Sequence, residues 1–187
     1  MIDSFQHCPG VTTYLLSHLH TDHTSGLSPS WNNGIIYTTK LTAHILKDKF
    51  HVNPNLIVEL DYDECAFVDL TKGTVTQNSN QVLSVQVSVI DANHCVGSCM
   101  FLLEGYFGTI LATGDFRFDQ KILKHHSLQD KTIDHLYLDD TFAEPDYVFP
   151  PRSEAGKEIL SIIQKYPSNY RICIATDTIL QTIQKTT

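Results

Sequence analysis

The order of elements along this chain predicts an α+β layered fold in which most strands run antiparallel. Three observations carry that expectation. Short apolar strand candidates follow one another with few helices between them. In one stretch Leu83, Val85, Val87 and Val89 alternate with Ser84, Gln86 and Ser88, the period of a strand with one less buried face. Residues 99–103 and 108–113 are two apolar runs joined by Glu104-Gly105-Tyr106-Phe107, which is hairpin spacing.

Taken in order, residues 12–16 are β-branched or bulky and predict a buried strand. Trp31-Asn32-Asn33-Gly34 is a turn with Asn-Gly as its strongest signal, and Ile35-Ile36-Tyr37 is a strand after it. Thr39 is placed to cap a helix over residues 40–50, with Leu41, Ile45 and Leu46 on its inner side. Residues 56–60 and 66–70 are strands around the polar turn 61–64, and residues 72–81 are a loop. Residues 133–138 form a further strand. Ser153 opens a helix to about Tyr166 with Ile159, Leu160, Ile162 and Ile163 inward, Pro167 ends it, and residues 171–175 form a last strand.

The 187 residues suffice for one domain with a sizeable core. Hydrophobic residues make up 42% and charged residues 18%, which is ordinary for a globular protein, and no apolar run reaches the length of a membrane span. No secretory signal is visible at the start, and the five cysteines are an odd number, so reduced thiols in an intracellular protein are expected. Cys95 and Cys99 lack a second close pair and are read as small core residues. A net charge of −8 argues against broad non-specific nucleic-acid binding by phosphate neutralisation. It leaves room for a nuclease whose metal ions bring the local positive charge.

The chemistry concentrates in Ser17-His18-Leu19-His20-Thr21-Asp22-His23, where the first apolar strand ends. On extended backbone His18 and His20 project to the same side. Thr24-Ser25-Gly26 then turns the chain, so that Asp22 and His23 face a second position. Imidazole and carboxylate suit a catalytic zinc ion with an open coordination position. Three more strand ends carry His94, Asp115 and Asp139. The expected arrangement is one or two zinc ions. His18, His20 and His94 take one, Asp22 and His23 the other, and Asp115 bridges. Asp22 and Asp115 would also orient the attacking water. Gly114 would bring the backbone close to the metals. Asp139 is read as an acceptor fixing a ligand imidazole, Asp3 as a brace for the His loop, and Arg117 as locally paired. His44 and His51 have no partner at ligand spacing and are read as surface or packing residues.

The motif His18-Leu19-His20-Thr21-Asp22-His23 matches the HxHxDH signature of the metallo-β-lactamase superfamily. Together with residues 17–27, Asp91-Ala92-Asn93-His94-Cys95, residues 101–114, Gly114-Asp115-Phe116-Arg117 and Leu136-Tyr137-Leu138-Asp139, it resembles the DNA cross-link repair nucleases of the β-CASP branch. The resemblance covers residues 2–173. It implies an αββα sandwich, zinc, a nuclear location, and 5′-to-3′ exonuclease action on DNA bearing a 5′ phosphate. It implies that His18, His20, Asp22, His23, His94 and Asp115 hold metal and that Asp139 belongs to the acidic motif of the branch, so Asp22, Asp115 and Asp139 are the catalytic carboxylates. Val96 stands where the family has Pro. The match is lost from about Asp177.

The chain is therefore expected to comprise the N-terminal part of the lactamase domain over residues 1–150, then the start of the β-CASP region with a divergent tail over residues 151–187. A telomere-protein partner is expected to bind through a segment absent here. Two other readings compete with the nuclease: a small-molecule hydrolase of thioesters or lactams, and an inactive truncated product.

Overall fold

The structure is a computed structural model and describes residues 1–76 and 83–173. They divide into two compact units, Met1–Asp139 and a second beginning at Asp140. The first unit contains β1 (Thr13–Leu15), β2 (Ile35–Thr39), α1 (Lys40–Phe50), β3 (Ile57–Leu60), β4 (Cys65–Asp69), β5 (Thr74–Val75), β6 (Ser84–Asp91), β7 (Cys99–Gly105), β8 (Gly108–Ala112), α2 (Gln120–Leu123) and β9 (His135–Tyr137). This is α+β: two sheets and few helices.

β1, β2 and β3 form one sheet in that order, and all of its pairings are parallel. The other sheet has the order β5-β4-β6-β7-β8-β9, antiparallel as far as β8 and parallel at β8–β9. The antiparallel expectation thus holds for the hairpins of the second sheet and fails for the first. The reason is connection length: residues 16–34 and the crossover through α1 are long enough to return the chain in the same direction.

Side-chain alternation sorts the apolar residues into three cores. Tyr14 and Ile36 turn to α1, where Phe5, Trp31, Ala43, Leu46 and Val52 join them. The rings of Phe5, Tyr14 and Trp31 pack with centroids 4.8–5.9 Å apart. Leu15 and Tyr37, one position on, turn to the opposite face and meet Val85, Val87, Val89 and Phe101 of the second sheet. The outer face of that sheet carries Ile90, Met100 and Leu102, covered by Phe116, Leu128, Ile133 and Ile122 of α2. Each fully buried large side chain contributes roughly 1.5–3 kcal/mol.

The local expectations fare unevenly. The helix over residues 40–50 has the expected bounds and cap. Its buried residues are Thr42, Ala43 and Leu46, while Leu41 is 39% exposed. The expected loop after β4 contains β5, which pairs with Val68 and Asp69; residues 77–82 lie outside the described set.

In the second unit, α3 spans Arg152–Gln164, yet Ile159, Leu160 and Ile162 are each about half exposed. Periodicity told which residues share a face and not what covers that face. Residues 171–173 lie in no strand, and the rest of the expected last strand and the tail lie outside the described residues.

Thr39 links α1 to the second sheet. Its hydroxyl accepts from Thr42 N and donates to the carbonyl of Gly97 at 2.7 Å. Thr39→Ala is expected to lower stability by about 1–2 kcal/mol in urea unfolding, with most of the loss recovered in Thr39→Ser.

Candidate metal centre

The His motif lies at the end of β1 because the first three residues run beside that strand. Leu15 N donates to Met1 O and Asp3 N to Leu15 O. Asp3 adopts a left-handed backbone, φ 47°, a conformation Asp tolerates better than most residues. Its carboxylate then accepts three bonds: from Ser17 N at 2.7 Å, from Ser17 Oγ at 2.6 Å and from His23 Nδ1 at 2.9 Å. The Ser17 hydroxyl proton is thereby committed to Asp3. Its oxygen is left to accept from His18 Nδ1, 2.9 Å away. That fixes the His18 tautomer, with an unprotonated Nε2.

Two backbone bonds bring the other strand ends to this point. Cys99 N at the start of β7 donates to Ser17 O at 3.0 Å, and Arg117 N donates to Ala92 O at 2.9 Å. One ligand atom from each of His18, His20, His94 and Asp115 then lies within 4.8 Å of the others. The Oδ2 of Asp115 is 3.7 Å from His18 Nε2 and 3.5 Å from His94 Nε2, and its Oδ1 is 3.1 Å from His23 Nε2. Asp115 therefore stands between two imidazole groups. His20 Nδ1 is 3.1 Å from His94 Nε2.

The fit to a metal is tested by what these atoms lack. His18 is fully buried, and among the described residues neither its Nε2 nor the Nε2 of His20 has a hydrogen-bond partner. Burial, reinforced by the neighbouring imidazoles of His23, His20 and His94, depresses His18 to about 3, so it is neutral at physiological pH. A lone pair and a carboxylate oxygen thus face each other without a proton to share, which a cation resolves. His23 is shifted the other way, chiefly by its bond to Asp3 and despite partial burial. These residues can hold a metal ion.

Asp22 and Asp139 lie outside that group of four. The chain turns through a short 3-10 segment, Thr21–His23, and Asp22 is exposed with Oδ2 3.4 Å from His23 Nε2. Asp139 accepts from Phe116 N at 3.5 Å, beside Asp115, while its own N donates to Thr113 Oγ1. It contacts the backbone of the Asp115 loop.

Gly114 makes its close approach within the protein to Ser17: at φ +51° a Cβ there would stand 2.9 Å from Ser17 Oγ. Ser17 and Ser98 were missed, because a lone serine gives no sequence signal. Ser98 Oγ accepts from His94 N and Cys95 N at 3.3 and 3.2 Å, which holds the loop on which Val96 is exposed. Cys99 is buried in the inter-sheet core and Cys95 half-buried. The backbone of Arg117 is tied to Ala92 and Asn93. His44 is exposed beside Asp48, and His51 ends α1 in a left-handed conformation.

No family model matches the chain. Individual proteins do. It is 42% identical over 157 residues to the rat protein named 5′ exonuclease Apollo, 31% over 185 residues to the DNA cross-link repair protein pso2/snm1 of Schizosaccharomyces pombe, and 38% over 157 residues to human DNA cross-link repair 1A protein. The chain is homologous to DNA cross-link repair proteins. The matches cover 83%, 94% and 82% of it but only 28%, 30% and 14% of those homologues. The chain thus spans less than a third of the cross-link repair proteins named, and the homology is consistent with the resemblance read in its motifs. In fold it is similar to a crystal structure of a protein of unknown function from Enterococcus faecalis, with a TM-score of 0.54 at 17% identity, covering 84% of this chain and 40% of that one.

Asp3 touches no ligand atom that faces Asp115, yet it sets the orientation of both His18 and His23. Asp3→Ala is expected to weaken divalent-metal binding about 10–100-fold in a chelator-competition titration, with the circular dichroism spectrum retained.

Proposed function

We propose that the chain is the N-terminal, metal-binding part of a zinc-dependent 5′-to-3′ DNA exonuclease of cross-link repair. Two things support this reading: the homologues' names, and the convergence of His18, His20, His94 and Asp115 on one point with two buried imidazole nitrogens unmet. The latter is the observation that carries it. The layers described above are read as the N-terminal portion of a metallo-β-lactamase αββα sandwich, with residues 1–150 in that domain and residues 151–187 at the start of the β-CASP region.

In this reading His18, His20 and His94 hold one zinc ion through imidazole nitrogen. Asp22 and His23 serve a second position, and Asp115 faces both through its two oxygens. Zinc bound there supplies Lewis-acid stabilisation of charge developing on phosphodiester oxygens. Asp22 and Asp115 would position the attacking water, Asp22 from the solvent-exposed side. Asp139 keeps the Asp115 loop in place through Phe116 N. Asp3 and Ser17 keep His18 in the tautomer that presents Nε2 inward. The substrate is DNA with a 5′ phosphate and the place of action the nucleus. The telomere-bound partner is carried over from the resemblance alone. No helix among the described residues is long and apolar enough to cross a membrane.

The test uses 3′-labelled single-stranded DNA with and without a 5′ phosphate. The chain is expected to shorten the phosphorylated strand from its 5′ end. A chelator should abolish this, added zinc should restore it, and Asp115→Ala and Asp22→Ala should each lower the rate by more than the roughly 10–100-fold cost of losing an outer partner. Normal cutting by both variants overturns the assignment. Turnover of a thioester without any shortening of DNA would favour the small-molecule hydrolase, and a folded, zinc-loaded chain inert towards both would favour the inactive product.

A further inference from the structure

A second group of metal-ligand side chains lies away from the His18 centre and shares no residue with it. Asp63, in the turn between β3 and β4, faces His125 and His126, which follow α2. One ligand atom from each lies within 4.8 Å of the others. The arrangement is built by the backbone on both sides. Asp63 sits at φ +69° with its N–H bonded to Val89 O, so its carboxylate projects from the turn. His125 N donates to Ile122 O and His125 O accepts from Leu128 N, closing a tight turn that sets the two adjacent imidazoles face to face, with centroids 4.6 Å apart and planes 28° apart. Adjacent side chains on extended backbone would point to opposite sides; here both are delivered to one carboxylate.

We propose that Asp63, His125 and His126 form a second, structural site for a zinc-class divalent ion. Two imidazoles and one carboxylate are the donor set that borderline first-row ions take, and His126 and Asp63 are exposed enough to leave water on the remaining positions. In the ion-free molecule Ser127 N donates to His125 Nδ1, so Nε2 carries the proton that Asp63 Oδ1 receives at 2.5 Å. An ion taken at Nε2 would displace that proton to solvent while Nδ1 takes one up as the Ser127 contact opens, so the ring stays neutral and no net proton is released.

The site would join two segments 62 residues apart, each next to a loop of the first centre. On one side Tyr62 donates from its hydroxyl to Ser98 O at 2.9 Å, and Ser98 holds the His94 loop. On the other, four residues separate Asp115 from α2, and Phe116 in that connection packs in the same core as Ile122 and Leu128. The ion braces the loops carrying His94 and Asp115 from outside.

Equilibrium dialysis against zinc would test this with the unaltered chain, His126→Ala, Asp63→Asn and His125→Ala/His126→Ala. The double variant is expected to bind one equivalent fewer than the unaltered chain while the equivalents of the His18 centre remain. Asp63→Asn and His126→Ala are expected to weaken that same equivalent by at least about tenfold. Cobalt substituted for zinc should lose one set of visible absorption bands in the double variant. Because His126 is exposed, its single variant keeps the packing and decides the matter if the double variant unfolds. The same number of equivalents, at the same affinity, in His126→Ala and the unaltered chain overturns the proposal.

Discussion

A fully buried imidazole with an unpaired nitrogen is the constraint on which the centre of this molecule depends. Leaving such an atom unsatisfied costs about 1–3 kcal/mol, and a well-packed protein keeps few of them. His18 cannot resolve the cost by taking up a proton, because burial and three neighbouring imidazoles oppose the charged form. It cannot turn its other nitrogen inward, because Ser17 Oγ has given its own proton to Asp3 and can only accept. The chain thus forces an electron pair toward Asp115. A metal ion is the partner that both groups lack.

The same logic explains why the ligands arrive from three separate strand ends, His18 and His20 after β1, His94 after β6 and Asp115 after β8. No single loop could fix imidazoles in the required directions, but two sheets packed on a shared core can. Tyr14 and Leu15 anchor β1 in cores on opposite faces, so its end cannot rotate. Ser17 O to Cys99 N and Ala92 O to Arg117 N then join the strand ends by backbone bonds, which hold a distance more tightly than side chains do. Asp139 adds a side-chain support to the last ligand loop, its carboxylate accepting from Phe116 N. The site is rigid because its loops bond to one another before they meet a ligand.

Much of this was legible in residue order. His18 and His20 at spacing two, close behind an apolar run, needed only strand geometry to be placed together, and His94 and Asp115 followed from the rule that strand ends present polar groups, whereas Asp22 turns away through the 3-10 segment and stands outside that group. Thr39 capped its helix as its residue type required. The parallel direction of β1–β3 was not legible, because direction depends on the path of long connections, for which Asn33-Gly34 gives only a local turn. Ser17 carried no signal, since its role comes from Asp3, fourteen positions earlier. The close approach of Gly114 to Ser17 is likewise decided only by the crossing of two loops. The apolar face of α3 was visible as a face, but exposure is a property of what lies opposite, and sequence period does not contain it.

Charge links the centre to its proposed substrate. Asp3, Asp22 and Asp115 bring three carboxylates to a group of imidazoles of which His18 is neutral, and the chain as a whole carries −8. Such a surface repels a phosphodiester. His23 gains a proton more readily than usual because Asp3 holds it, and it faces Asp22 and Asp115, so any positive charge on it is shared among carboxylates. Divalent ions at the centre reverse the local sign, and they do so only within about a Debye length, near 8–10 Å. On the proposed reading the protein therefore attracts DNA at one point and not along its surface. That is what an enzyme working at a strand end requires, and a basic groove would not supply it.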